Sequence, residues 1–123
     1  MFSPRGVLLR AGVDTEHWLT LGCGEELAVF VEGGRALMSM HPVATPVRLA
    51  PRERLRLSGL LWPEAAERLA DTAYVTVESM GRGQVILFAS DPAWRGLFRG
   101  PSRLLTNAVL LGPGLGASPV LPW

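Results

Sequence analysis

The chain predicts an α/β domain with more strand than helix, and three stretches carry that reading. Residues 84–90 contain five consecutive apolar side chains, Val85, Ile86, Leu87, Phe88 and Ala89, which suits a strand covered on both faces. Beyond a loop, Leu104, Leu105, Ala108, Val109 and Leu111 recur at three- and four-residue spacings, the apolar stripe of a helix. Just before the run, Ala73, Val75 and Val77 alternate with Tyr74, Thr76 and Glu78, the period of a strand.

Taken in order, residues 6–13 predict a first strand centred on Val7, Leu8 and Leu9, followed by a polar, glycine-containing loop over 14–24. Residues 26–32 contain Leu27-Ala28-Val29-Phe30-Val31, a second buried-strand candidate, and Gly33-Gly34 favours a hairpin into a strand over 36–40. Three prolines between 42 and 51 predict an irregular or edge-like segment, since proline removes a ladder donor. The alternation Arg54-Leu55-Arg56-Leu57 predicts a half-exposed strand over 52–57. Pro63 suits the first turn of a short helix over 63–70, with Glu64 and Arg68 in the favourable i,i+4 order. Gly81-Arg82-Gly83 supplies a tight connection into the buried run, and Asp91-Pro92 ends it. Ser102 is placed to cap the last helix and Gly112-Pro113 to stop it, giving a domain over 1–112 and an irregular tail over 113–123. One or two helices cannot cover both faces of such a sheet, so association with another copy or with missing parts of a larger domain is expected.

A length of 123 residues and 48% hydrophobic composition suffice for one real core. Twelve arginines, no lysine and eleven acids leave a net charge of +1, and the two halves carry +1 and 0. No concentrated basic footprint is present, which argues against a dedicated nucleic-acid binder. No run of eighteen apolar residues suggests a membrane span, and the N-terminus lacks a signal-peptide pattern; localisation stays open, because a longer parent could supply its own signal. One cysteine cannot close an internal disulfide.

Several pieces carry a family resemblance: Asp14 with His17-Trp18-Leu19, the strand around Ala28-Val29-Phe30, Gly81-Arg82-Gly83-Gln84-Val85-Ile86-Leu87-Phe88, Trp94-Arg95-Gly96, and Leu104-Leu105-Thr106-Asn107-Ala108. In this order they resemble the glutamine-amidotransferase-like domain that follows the catalytic domain in some bacterial zinc-carboxypeptidase-related proteins. Trp18 stands where those relatives commonly carry proline. The resemblance implies a partial class I glutamine-amidotransferase-like (flavodoxin-like) open sheet with few helices. It also implies a noncatalytic accessory or docking role, with an upstream peptidase domain or another copy of the chain as partner. The peptidase's zinc ligands would lie upstream: this chain has no His-x-x-Glu, and His17 and His41 lack a metal-binding spacing, so neither metal nor cofactor is expected.

Two candidate sites follow from the residues. Cys23, with His17 and Glu25 or Glu26 nearby in sequence, has the residue types of an amide-hydrolysing nucleophile and its base. Its setting, Leu21-Gly22-Cys23-Gly24-Glu25 ahead of a strand, departs from the strand-to-helix nucleophile elbow, and a structural cysteine is the simpler account. Asp91, Trp94, Arg95, Arg99 and Asn107 form the second candidate, an anion-binding crevice at the C-terminal end of a parallel strand. The plainer reading makes Asp91 a strand terminator, Trp94 a loop-packing residue and the arginines local pins. Gly81-x-Gly83 precedes a strand rather than opening a helix, which excludes a dinucleotide fingerprint. Arg52, Arg54 and Arg56 read as solvated side chains.

Overall fold

The computed structural model describes residues 3–116. The strands are β1 (Arg5–Val13), β2 (Glu26–Glu32), β3 (Ala44–Leu49), β4 (Arg56–Ser58), β5 (Ala73–Met80) and β6 (Gly83–Phe88). The helices are α1 (Arg52–Leu55), α2 (Pro63–Leu69) and α3 (Arg99–Leu115). The α/β class therefore holds, with one curled six-stranded sheet in the order β2-β1-β3-β5-β6 and β4 beside β1. All its pairings are antiparallel, in place of the parallel arrangement expected from the terminal strand-loop-helix unit. The link from β5 to β6, Gly81-Arg82, is too short for anything but a reversal, whereas a parallel neighbour requires a long crossover.

The inner face follows from register. Leu9 lies opposite Val29, Ala11 opposite Leu49, and Val47 opposite Val75, so directly paired residues share one side of the curl. These side chains are sealed from solvent, joined by Leu19, Leu55, Leu69 and Leu104 from the helices and loops. The curl brings the far ends of the two edge strands together, where Glu32 N–H donates to Ser90 Oγ at 3.4 Å. Their near ends are spanned by α3. A Cβ on Gly100 would stand 2.8 Å from Leu27 of β2, while Gln84 of β6 donates to the Gly112 carbonyl at 3.1 Å. The helical segment between these glycines is about 18 Å long.

β1, β2, α2 and β5 follow the sequence expectation closely. Several other segments do not. The expected strand over 36–40 is reduced to one bridge, Leu37 with Ala73, because this segment crosses toward β5 instead of folding back on β2; Met38 and Met40 stay exposed. The proline-rich segment yields β3, a central strand. Pro46 fits because the β3–β5 register breaks between Ala44 and Val47, where no ladder donor is required of it. The expected strand over 52–57 divides into α1 and β4: Arg54 N–H closes a turn on the Pro51 carbonyl, and Leu55 alone sinks into the core.

The run 84–90 is likewise no strand covered on both faces. β6 ends the sheet, and its outward side chains Val85 and Leu87 remain 36% and 49% exposed, because α3 covers the inner side only. Helix α3 begins at Arg99, and Ser102 does not cap it; its hydroxyl bonds backward to the Phe98 carbonyl at 2.7 Å. Pro113 does not end the helix, which closes its last turn through Gly116 N–H to Gly112 O at 3.0 Å. Residues 117–123 of the expected tail lie outside the described residues.

Candidate functional site

The loop after β1 turns on Asp14, whose backbone N–H donates to Pro46 O at 2.9 Å and whose Oδ1 accepts from Glu16 N–H. A short 3-10 turn over Trp18–Thr20 follows, capped by His17, whose Nδ1 accepts the Leu19 N–H at 3.1 Å. An Nδ1 used as acceptor leaves the ring proton on Nε2. Burial lowers the His17 pKa below its ordinary 6.5, only partly opposed by the Asp14 carboxylate. The ring is therefore a neutral capping group.

Cys23 lies between this turn and β2, its N–H closing on Thr20 O at 2.9 Å and its side chain packed against the core. Burial pushes the thiol above its ordinary range, and nearby Arg103 only partly offsets this. A nucleophilic cysteine needs the opposite shift. Among the described residues no hydrogen bond joins His17 to Cys23. Glu25 is exposed and uses its backbone carbonyl to hold Val13 N–H at 2.9 Å. Glu26 is engaged by two guanidinium groups, Arg10 and, at 2.6 Å, Arg54. The hydrogen bond from Arg10 is the main cause that holds its carboxyl below the usual range. The candidate groups are thus near in sequence, but His17 spends its Nδ1 on a backbone amide, Glu26 its carboxylate on two arginines, and Glu25 leaves its carboxylate in solvent.

The second set divides in two. Asn107 is 4% exposed, and its amide donates to the carbonyls of Leu19 at 2.8 Å and Leu21 at 2.9 Å. It locks α3 onto the 3-10 turn, a structural task that uses both amide protons. Asp91 Oδ1 accepts Ala93 N–H at 2.8 Å, which turns the chain away from β6. Trp94 packs on Phe30 of β2 at 4.2 Å between centroids, and Phe98 stacks on the same ring at 5.6 Å. This aromatic cluster is possible because Gly6 of β1, at φ +116°, leaves room under the Phe30 ring; a Cβ there would come within 2.8 Å of Cζ. Arg95 adopts φ 49° and lays its guanidinium over Trp94, 4.6 Å from the ring centroid. Arg95 and Arg99 both face solvent.

Sequence reasoning missed Phe30 and Phe98 as partners of Trp94, because the β2-to-loop contact joins residues far apart in the chain. It also missed Arg103, although its position one turn beyond Arg99 was a readable signal. Tyr74 is a further surprise: an outer-face residue of β5, it is fully buried, and its hydroxyl has no hydrogen-bond partner among the described residues. Burial, reinforced by the Asp91 carboxylate, raises its pKa far above the ordinary value of 10.0.

Clefts open beside these elements among the described residues. One of about 860 Å³ lies between the start of β1, the end of β2 and Trp62. A second of about 470 Å³ is lined by Asp14, Glu25, Glu26, Arg48 and Arg54. A third of about 360 Å³ runs between β6 and α3 along Gln84, Ile86, Ala108 and Pro113. Comparison with family models, curated proteins and solved structures returns no match.

Proposed function

We propose that this chain is a noncatalytic docking domain, the accessory part of a zinc-carboxypeptidase-like protein. The observation that supports docking most directly is the outward side of α3, where Val109 and Leu110 are 65% and 72% exposed. Val85 and Leu87, on the outer face of the edge strand and turned away from α3, are separately exposed. Isolated apolar side chains on a surface are ordinary, whereas adjoining aliphatic side chains on one uncovered helix face make a contact surface.

The link to a peptidase rests on the likeness of segment 81–112 to the corresponding part of such proteins. We attach the amidotransferase-like reading to the unit β6, loop and α3, whose order it matches; a flavodoxin-like domain would surround that unit with parallel strands. An upstream peptidase domain or a second copy is the partner, and no zinc is assigned to this chain.

Light scattering across a concentration series, for the wild type and Leu110→Glu, tests the docking reading. Association that weakens in the variant supports it. A wild-type monomer that also fails to bind its parent peptidase domain overturns it. The amide-hydrolase alternative through Cys23 has weaker support, since its thiol is held protonated and its neighbouring histidine caps a turn. A module for small anions at Arg95 and Arg99 is favoured by their exposure.

A further inference from the structure

The solvent side of α3 has two chemically different ends. With 100° per residue, Arg99, Arg103, Thr106, Leu110 and Pro113 fall within about 40° of one line along the helix. All five are exposed, while Leu104 and Asn107 mark the buried side. The stripe extends about 21 Å. Its first two turns carry Arg99 and Arg103 and its last turns carry Leu110 and Pro113, with Val109 alongside.

The basic end is electrostatically unrelieved. Arg10 and Arg54 pair with Glu26, and Arg52 with Glu67. Among the described residues, no carboxylate lies within ion-pair distance of Arg95, Arg99 or Arg103. Arg95 rests on Trp94, and Arg103 donates only to the Leu21 carbonyl, at 3.3 Å. No acidic residue occupies the first turn of α3, and its N-cap, Phe98, offers no side-chain acceptor. Arg99 and Arg103 thus put positive charge on the first two turns of α3, at the positive end of its dipole, with Arg95 on the turn just before it, an arrangement that costs stability in the isolated chain. A partner bearing negative charge removes that cost, and one with aliphatic side chains further along covers Leu110 and Val109.

We propose that this stripe docks a protein segment whose carboxylates meet Arg95, Arg99 and Arg103 and whose aliphatic side chains meet Leu110 and Val109. The proposal rests on the docking reading above and specifies the chemistry of the partner. Charge complementarity sets the register of the two ends, and apolar burial supplies the larger share of the affinity.

The test uses fluorescence anisotropy with labelled synthetic helical peptides of about three heptads. One face carries glutamates at one end and leucines at the other, in both chain directions; matched peptides carry glutamine or lysine in place of glutamate. The glutamate peptide is expected to bind the full chain, less tightly at high salt, and about tenfold more weakly to the Arg95→Gln, Arg99→Gln double variant. Both side chains are exposed, and far-ultraviolet circular dichroism verifies that the variant is folded. Arg99→Glu should shift preference toward the lysine peptide. Equal binding of glutamate and glutamine peptides, or binding indifferent to the double variant, overturns the proposal. Binding of vesicles containing phosphatidylserine without binding of the peptide overturns it too, in favour of a membrane surface. If no peptide binds while Leu110→Glu still weakens association in light scattering, the acidic partner is refuted and the docking reading stands.

Discussion

Asn107, midway along α3, donates both amide protons to the carbonyls of Leu19 and Leu21, nearly ninety residues away in sequence. The contact fixes the helix over the open end of the curled sheet and brings Arg103 beside Cys23. The same residue that looked like part of a ligand site is the pin that holds the candidate site's two halves together.

Asn107→Ala removes both bonds and leaves the buried Leu19 carbonyl short of a donor, while Leu21 keeps only the longer bond from Arg103, so the loss should be about 2–3 kcal/mol. Urea unfolding is expected to show a lower midpoint with an unchanged slope. A variant as stable as the wild type would show that water replaces the amide.

Gly6→Ala should be more damaging than an ordinary strand substitution. The residue sits at φ +116°, and its Cβ would press within 2.8 Å of the Phe30 ring. Backbone strain and displacement of the ring together should cost about 2–4 kcal/mol. Because Phe30 carries Trp94 and Phe98, near-ultraviolet circular dichroism should change with it. An unchanged spectrum would mean that the aromatic cluster does not depend on this close approach.

Cys23 should react slowly. With its thiol pushed up by burial, alkylation by iodoacetamide at neutral pH should be slower than that of a free thiol of ordinary pKa, and Arg103→Gln should slow it further by removing the nearby positive charge. Reaction faster than the free thiol, lost in His17→Asn, would instead restore the hydrolase reading.

Two groups predict opposite pH limbs. His17 has a folded pKa below 6.5, so its contribution to stability is present above that value and is lost as pH falls toward the folded pKa, where the unfolded chain binds the proton first. Tyr74 is raised, so its contribution is present below about pH 10 and is lost as pH rises, because the unfolded chain releases the proton first. Thermal melts across pH should show the acid limb flatten in His17→Asn and the alkaline limb flatten in Tyr74→Phe. At neutral pH, Tyr74→Phe should be neutral or stabilising by about 1 kcal/mol, since it deletes a buried hydroxyl that lacks a partner. A large loss of stability would reveal a partner for that hydroxyl in solution.

Local pattern was enough to place β1, β2, α2 and β5, where apolar period and flanking breakers agree. It failed where the outcome depended on neighbours. Pro46 lies in a central strand because the register breaks there, and Leu87 is half exposed because α3 covers only the other face of β6. For the candidate sites, the residue types around Cys23 and in the loop after β6 were readable, but not which atoms they would spend on the backbone. His17 gave its Nδ1 to Leu19, and Asn107 gave its amide to Leu19 and Leu21.

By itself the amino-acid order determined an α/β chain with a real core, a strand entering at Gly83, and a final amphipathic helix with a stripe of apolar side chains. These are short-range consequences of side-chain period and backbone freedom, which need no partner to be expressed. Only the tertiary structure decided that the strands pair antiparallel, that α3 bridges the two edge strands, and that Arg95, Arg99 and Arg103 stay exposed with no acid among the described residues to pair with them. Those outcomes depend on which distant surfaces bury one another, and on which charges that burial leaves in water.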